Sequence, residues 1–154
     1  LGKGGERDLS LANFDTLSSI NVIQKGSSGV ICWTGAVGAI VFDALASLKT
    51  QDIFPTLISV PILSNQSLRK VLKVANGAPL LSLEEHVLPG GFGSWLLEIA
   101  NCDNYVGSIG RIGINSKNHG LIGSQDFLLS ESNISAKHIT TAFMQLISDS
   151  PKLR

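Results

Sequence analysis

The chain is poor in charge, in aromatic residues and in the residues that hold metals. Only 16% of its 154 residues are charged, and twelve Lys plus Arg balance twelve Asp plus Glu. That balance speaks against nucleic-acid binding, which favours a basic stripe. The nearest approach to one is Arg69, Lys70 and Lys73, which reads as the wet face of a helix. No apolar run reaches the roughly 18 residues of a membrane span. The longest, from Ala36 to Leu48, is broken by Gly38, Asp43 and Ser47. The opening LGKGGERDLS has no apolar core of a signal peptide. It begins at Leu1 rather than Met, as expected of a processed chain or a piece of a larger one.

Cysteine and histidine are equally sparse. Cys32 and Cys102 lie 70 residues apart without metal-ligand spacing. Both are expected to be small buried thiols in a reducing, cytoplasmic compartment. The functional alternative is a lone catalytic thiol with a histidine nearby. No two of His86, His119 and His138 share helical spacing, so no metal site is expected. His119 reads as a turn residue and His138 as solvent-facing. The phosphate-loop pattern G-x-x-x-x-G-K-[ST] and the nucleophile elbow G-x-S-x-G are both absent. The glycines at 90–93 and 107–113 miss the dinucleotide spacing.

What the chain does have is 44% hydrophobic residues and 16 glycines. The glycines suggest tight turns, while the high apolar and low charged content argues against intrinsic disorder and suggests apolar surface for a partner to cover. Residues 1–18 are polar and aperiodic, and read as a linker or the tail of a preceding domain. The domain proper is expected over 19–150.

Ile20–Gln24 and Val30–Thr34 are β-branched runs joined by five residues, so an antiparallel hairpin is expected. Val37, Ile40, Val41, Ala44, Leu45 and Leu48 keep helical spacing, with Thr34-Gly35 placed to cap. Asp43 on this helix is either solvated or part of a subunit contact. Pro55–Val60 reads as a buried strand. A helix over 66–76 follows, capped by Ser64 or Asn65 and ended by Asn76-Gly77.

Ala78–Glu85 is the next strand, and its apolar run suits burial on both faces. A helix then carries Phe92, Trp95, Leu96 and Ile99 on one side. Trp33 and Trp95 are both expected to be packing residues. Tyr105–Ile114 contains the last strand. Asn115–Ser132 reads as loop, with a helical turn at Gln125–Leu129. Ser135 caps a final helix with Ile139, Ala142, Phe143 and Leu146 inward. Strands alternating with helices give a three-layer α/β/α fold. Its sheet has about five strands, mostly parallel, with one antiparallel strand at an edge.

The most informative stretch is SLEEHVLPGGFGSWLLEIA, Ser82–Ala100. A buried strand runs into Glu84, Glu85 and His86. Pro89 then leads into Gly90-Gly91, and a helix begins near Gly93-Ser94. Paired glycines allow positive φ or close backbone approach. A helix N-terminus offers unpaired N–H groups that attract anions. Two readings follow. Glu84 or Glu85 folds back as an internal anion, or the turn receives a phosphate or a partner's backbone, as strand carboxyl ends often do. His86 is the one histidine beside other ionisable groups. The binding or interface candidates are therefore Glu84, Glu85, His86, Gly90, Gly91, Gly93 and Ser94.

This stretch resembles the C-terminal domain of transketolase-like, thiamine-diphosphate-dependent enzymes. The group includes transketolase, 1-deoxyxylulose-5-phosphate synthase and the β subunit of pyruvate dehydrogenase's first component. Its pattern of E-E, four residues, G-G-x-G-S appears as Glu84-Glu85 and Gly90-Gly91-Phe92-Gly93-Ser94. LGKGGE (Leu1–Glu6), GVICWTGAVGAIVFDAL (Gly29–Leu45), GRIGI (Gly110–Ile114), His119-Gly120, Phe127–Leu129 and Asn133–Ile139 continue the likeness. One departure is Ser64, where a capping Asp is usual.

The resemblance implies a structural and dimer-forming domain of an enzyme that transfers two-carbon units between sugar phosphates. Thiamine diphosphate and Mg²⁺ would belong to the parent enzyme and lie between its other domains. No cofactor and no catalytic residue are therefore expected in this domain. The implied partners are a second copy and the preceding catalytic domains. A free-standing regulatory module that docks on a separate catalytic subunit is the alternative.

Overall fold

The computed structural model describes residues 18–114, Leu129, Ser132 and 134–150. Apart from Ser18 and Leu129, the expected linker at 1–18 and helical turn at 125–129 lie outside them, as does His119.

Five strands form one sheet: β1 (Asn21–Gln24), β2 (Val30–Trp33), β3 (Thr56–Ser59), β4 (Leu80–Val87) and β5 (Ile109–Ile114). Among the described residues four helices flank it: α1 (Gly38–Lys49), α2 (Asn65–Ala75), α3 (Phe92–Cys102) and α4 (Ala136–Asp149). The strand order is β1-β3-β2-β4-β5, parallel except for β1. The mostly parallel sheet with one antiparallel edge is the architecture the alternating pattern predicts.

The expected β1–β2 hairpin does not form. β1 pairs antiparallel with β3, which lies between β1 and β2. The reason is visible in the loop at 25–29, whose polar groups are spent on the start of β3. Gly26 N–H donates to Thr56 Oγ1 at 2.9 Å, and that hydroxyl donates back to Gly26 O at 3.1 Å. Ser28 N–H donates to Phe54 O at 3.0 Å, while Phe54 N–H donates to Ser28 Oγ at 2.9 Å. A Cβ on Gly26 would collide with Phe54 O and the Pro55 backbone.

Side-chain alternation divides the core into two layers. Ile31, Trp33, Leu57, Leu81, Leu83 and Ile112 face α1 and α4, where they meet Val41, Leu45, Leu48, Ile139 and Phe143. Val30, Cys32, Ile58, Val60 and Leu80 face α2 and α3, meeting Leu68, Val71, Phe92, Leu96 and Ile99. Strands β2 and β3 are buried at every position, as a central parallel sheet covered on both faces requires.

The helix ends follow sequence with one exception. Ser64 accepts from Ser67 N–H at 3.1 Å and caps α2, so serine does the work of the usual aspartate. Asn76 ends α2 in the left-handed conformation at φ 48°. Ser135 caps α4 through His138 N–H at 3.2 Å. At α1, the Thr34 side chain makes no cap; a 3₁₀ turn over Gly35–Val37 leads into the helix instead.

Candidate functional site

The Glu84-Glu85 pair sits at the carboxyl end of β4, near the centre of the sheet. Neighbouring residues in a strand point to opposite faces, and the two carboxylates separate accordingly. Glu84 turns toward α3 and is 1% exposed. Its Oε2 accepts from Phe92 N–H at 2.6 Å and its Oε1 from Gly93 N–H at 2.9 Å. One carboxylate thus satisfies the first two amides of the helix and places a negative charge at its positive end. Glu85, half-buried, reaches the opposite layer, with Oε2 3.4 Å from the Ala36 N–H it accepts from, in the turn that opens α1.

The glycines are explained by this arrangement. A Cβ on Gly91 would press on Glu84 Oε2 and sit 2.6 Å from Val87 O. On Gly93 it would lie 2.7 Å from Ser82 Oγ and 2.9 Å from Arg111 Cδ. Gly113, across in β5, leaves room for Glu84 Cγ. Gly90 differs: it has open space around it but a φ of 74°, so backbone conformation alone calls for glycine there.

Ser94 locks the turn. Its hydroxyl donates to Leu88 O at 2.5 Å and accepts from Arg111 Nη1 at 2.8 Å. His86 is exposed at the end of β4, alongside the exposed Pro89 and Gly90. The structure therefore gathers Glu84, Gly91, Gly93 and Ser94 into one internal cap. It sends Glu85 to the other face and His86 to solvent.

Set against known proteins, the chain matches no family model. It is 34% identical over 116 residues to a 1-deoxy-D-xylulose-5-phosphate synthase of Shouchella clausii, covering 73% of this chain and 18% of that protein. It is 35% identical over 112 residues to 1-deoxy-D-xylulose-5-phosphate synthase 2 of Geobacter sulfurreducens, covering 70% and 17%. Among solved structures it superposes on a split gene transketolase, described as an inactive β4 tetramer, with a TM-score of 0.68. Identity there is 20%, over 84% of this chain and 41% of that one. The transketolase of Campylobacter jejuni follows the same fold at a TM-score of 0.60 and 11% identity, over 86% and 19% of the two chains. This is a transketolase-like domain. It spans about a fifth of the length of the curated relatives it matches.

A transketolase-like enzyme implies thiamine diphosphate, and the described residues of this domain do not fit that group. The two α3 amides that a diphosphate would take are held by Glu84. The carboxylate could be displaced only by stripping a buried charge of its partners. Among the described residues no three His, Cys, Asp or Glu converge as metal ligands. Nor is any described helix long and apolar enough to cross a membrane.

The thiols divide rather than share one environment. Cys32 is fully buried on β2, and burial pushes its pKa far up. A thiol held protonated is a poor nucleophile. Cys102, expected to be buried, is exposed: it is the last residue of α3 and lies in the exposed run Asn101–Asn104. Trp33 is buried against Phe42 in an edge contact at 6.2 Å. Trp95 is half-buried and donates to Asn65 Oδ1 at 2.8 Å. Asp43 and His138 are exposed on their helices.

Sequence reasoning missed Arg111 and Gly113, which close the Glu84 cap from β5. Their signal was the register, since Arg111 stands opposite Ser82 in the β4–β5 pair.

Proposed function

We propose that the chain is the carboxy-terminal assembly domain of a transketolase-like, thiamine-diphosphate-dependent transferase and performs no chemistry by itself. The parent enzyme would move a two-carbon unit onto a sugar phosphate, with thiamine diphosphate supplying the carbanion stabilisation. The names of the curated relatives favour the 1-deoxy-D-xylulose-5-phosphate synthase branch. The observation that carries this reading is the inward turn of Glu84. The helix N-terminus at a strand carboxyl end, where doubly wound sheets take ligands, is filled by the chain's own carboxylate. This domain would shape and join the enzyme while the reacting groups lie elsewhere, in a cytoplasmic dimer.

Calorimetric titration of the chain with thiamine diphosphate and Mg²⁺ tests the proposal. No heat of binding is expected at micromolar concentrations, and tight one-to-one binding would overturn it.

A second reading has one observation in its favour. The split gene transketolase shares the fold, so a domain of this kind also suits a separate polypeptide that docks on a catalytic subunit. The two readings differ only in whether the catalytic portion lies on the same chain.

A further inference from the structure

The loops at the two ends of the sheet differ in charge. Lys117, Asp126 and Glu131, in the segment after β5, lie outside the described residues. The three described loops at the carboxyl ends of the parallel strands are Thr34–Val37 after β2, Val60–Ser64 after β3 and Leu88–Gly91 after β4. None contains Lys, Arg, Asp or Glu. The two carboxylates beside them, Glu84 and Glu85, are turned onto helix-opening amides. Pro61, Ile62, Leu63, Pro89 and Gly90 are all exposed on this end, Ile62 at 45% and Leu63 at 38%.

The loop that presents Ile62 and Leu63 is held firmly. Ser67, completely buried, donates its hydroxyl to Ile62 O at 2.5 Å, and its N–H is taken by Ser64 Oγ. Two adjacent aliphatic side chains are thus fixed in water on a pinned backbone. Single exposed aliphatics are ordinary, but an uncharged patch around a rigid pair has the composition of an interface core.

The same end receives the incoming chain. Asn21 of β1 pairs with Ser59, three residues before Ile62. Ser19 Oγ accepts from Lys70 Nζ on α2 at 2.9 Å. The described chain therefore begins, at Ser18–Asn21, beside the end of β3 that leads into the Pro61–Leu63 loop. The curated relatives are about five times the length of the matched region; in an enzyme of that length several hundred residues would lie beside this domain.

We propose that the corner of the sheet's carboxyl end formed by the uncharged Thr34–Val37, Val60–Ser64 and Leu88–Gly91 loops, centred on Ile62 and Leu63, is the docking face for the catalytic portion of the transketolase-like enzyme. The inference rests on the reading above, that such a portion exists on the same chain or beside it. It adds which surface is used.

The test measures binding of the 154-residue chain to the rest of the enzyme, produced from the reading frame upstream or from a companion gene. Sedimentation compares wild type, the I62D/L63D pair and V106D. Val106 is 75% exposed at the opposite end and serves as control. We expect wild type and V106D to bind alike and I62D/L63D to bind at least tenfold more weakly, with its thermal midpoint unchanged. The milder I62S/L63S pair serves if the charged pair lowers that midpoint. Unchanged binding of the pair would overturn this face while leaving the proposed function standing. A wild-type homodimer that I62D/L63D dissolves, with binding to the rest of the enzyme intact, would assign the face to a second copy instead. Failure of wild type to bind the rest of the enzyme at all would overturn the proposed function itself.

Discussion

At the carboxyl end of the sheet the carboxylates of Glu84 and Glu85 turn inward onto backbone amides, and the three described loops beside them carry no charge. At the amino end the charges face water. Lys25, Lys49, Asp52, Lys73 and Asp103 are all exposed there, and Arg69 pairs with Asp103 at 3.0 Å across two half-open side chains. Left-handed residues also cluster at that end, with Asp52, Asn76 and Asn104 at positive φ. One end is therefore finished as an ordinary solvated surface. At the other, the described loops are uncharged and both carboxylates are held by backbone amides, which suits a surface that loses its water against a partner.

The sharpest way to break this contrast is to empty the Glu84 cap. In Glu84→Ala the Phe92 and Gly93 amides lose a charged acceptor in a buried setting. Stability should fall by about 3–4 kcal/mol, since each bond to a charged group contributes roughly 1.5–3 kcal/mol. Urea unfolding reads this as a lower midpoint with an unchanged slope. Glu84→Gln, which keeps one acceptor oxygen, should cost about half as much. A loss under about 1 kcal/mol for Glu84→Ala would show that α3 does not depend on this carboxylate.

Two adjacent glycines give a finer comparison. Gly91→Ala sets a methyl against Glu84 and the Val87 carbonyl, while Gly90→Ala meets only an unfavourable φ in open space. Thermal unfolding should show a loss of about 2–3 kcal/mol for the first, from overpacking. It should show about 1 kcal/mol for the second, from backbone strain. Equal effects would mean that the turn, not the carboxylate, dictates both positions.

A smaller effect is expected at the amino end. Tyr105 is half-buried, and its hydroxyl donates to Ala78 O. Burial, aided by the nearby Cys32 thiol, pushes its pKa up to about 12. The unfolded phenol ionises near its ordinary value of 10.0, so ionisation favours the unfolded chain above that pH. The stabilisation from a protonated Tyr105 is complete below pH 10 and is lost as pH rises toward 12. Denaturation midpoints should be flat with respect to this group through neutral pH and decline above 10. Tyr105→Phe should remove that part of the decline, and an identical decline in the variant would contradict the assignment.

Much of this was legible in the residues. Helix periodicity located α1 to α4 because each buries one stripe, and Ser64 and Ser135 marked two starts because a hydroxyl can take an orphan amide. The E-E…G-G-F-G-S run marked the strand–turn–helix at the centre of the sheet. The β1–β2 hairpin failed because a five-residue spacing says nothing about a third strand that takes the loop's hydrogen bonds. Which glutamate caps α3 was left open by composition. It follows from the two-residue alternation of β4 together with the side on which α3 lies. Arg111 and Gly113 are far from the motif in sequence and join it only through strand register. Cys102 was misplaced because it closes α3 in an exposed turn, off the buried stripe of Phe92, Leu96 and Ile99.

The central claim is that the anion site at the start of α3, beside the end of β4, is filled by Glu84. Amide resonances of Phe92 and Gly93 report on it directly during titration with thiamine diphosphate and Mg²⁺. The account predicts that both signals hold the positions of strongly hydrogen-bonded amides and stay there up to millimolar ligand. A saturable displacement of both, with Glu84 released, would contradict it.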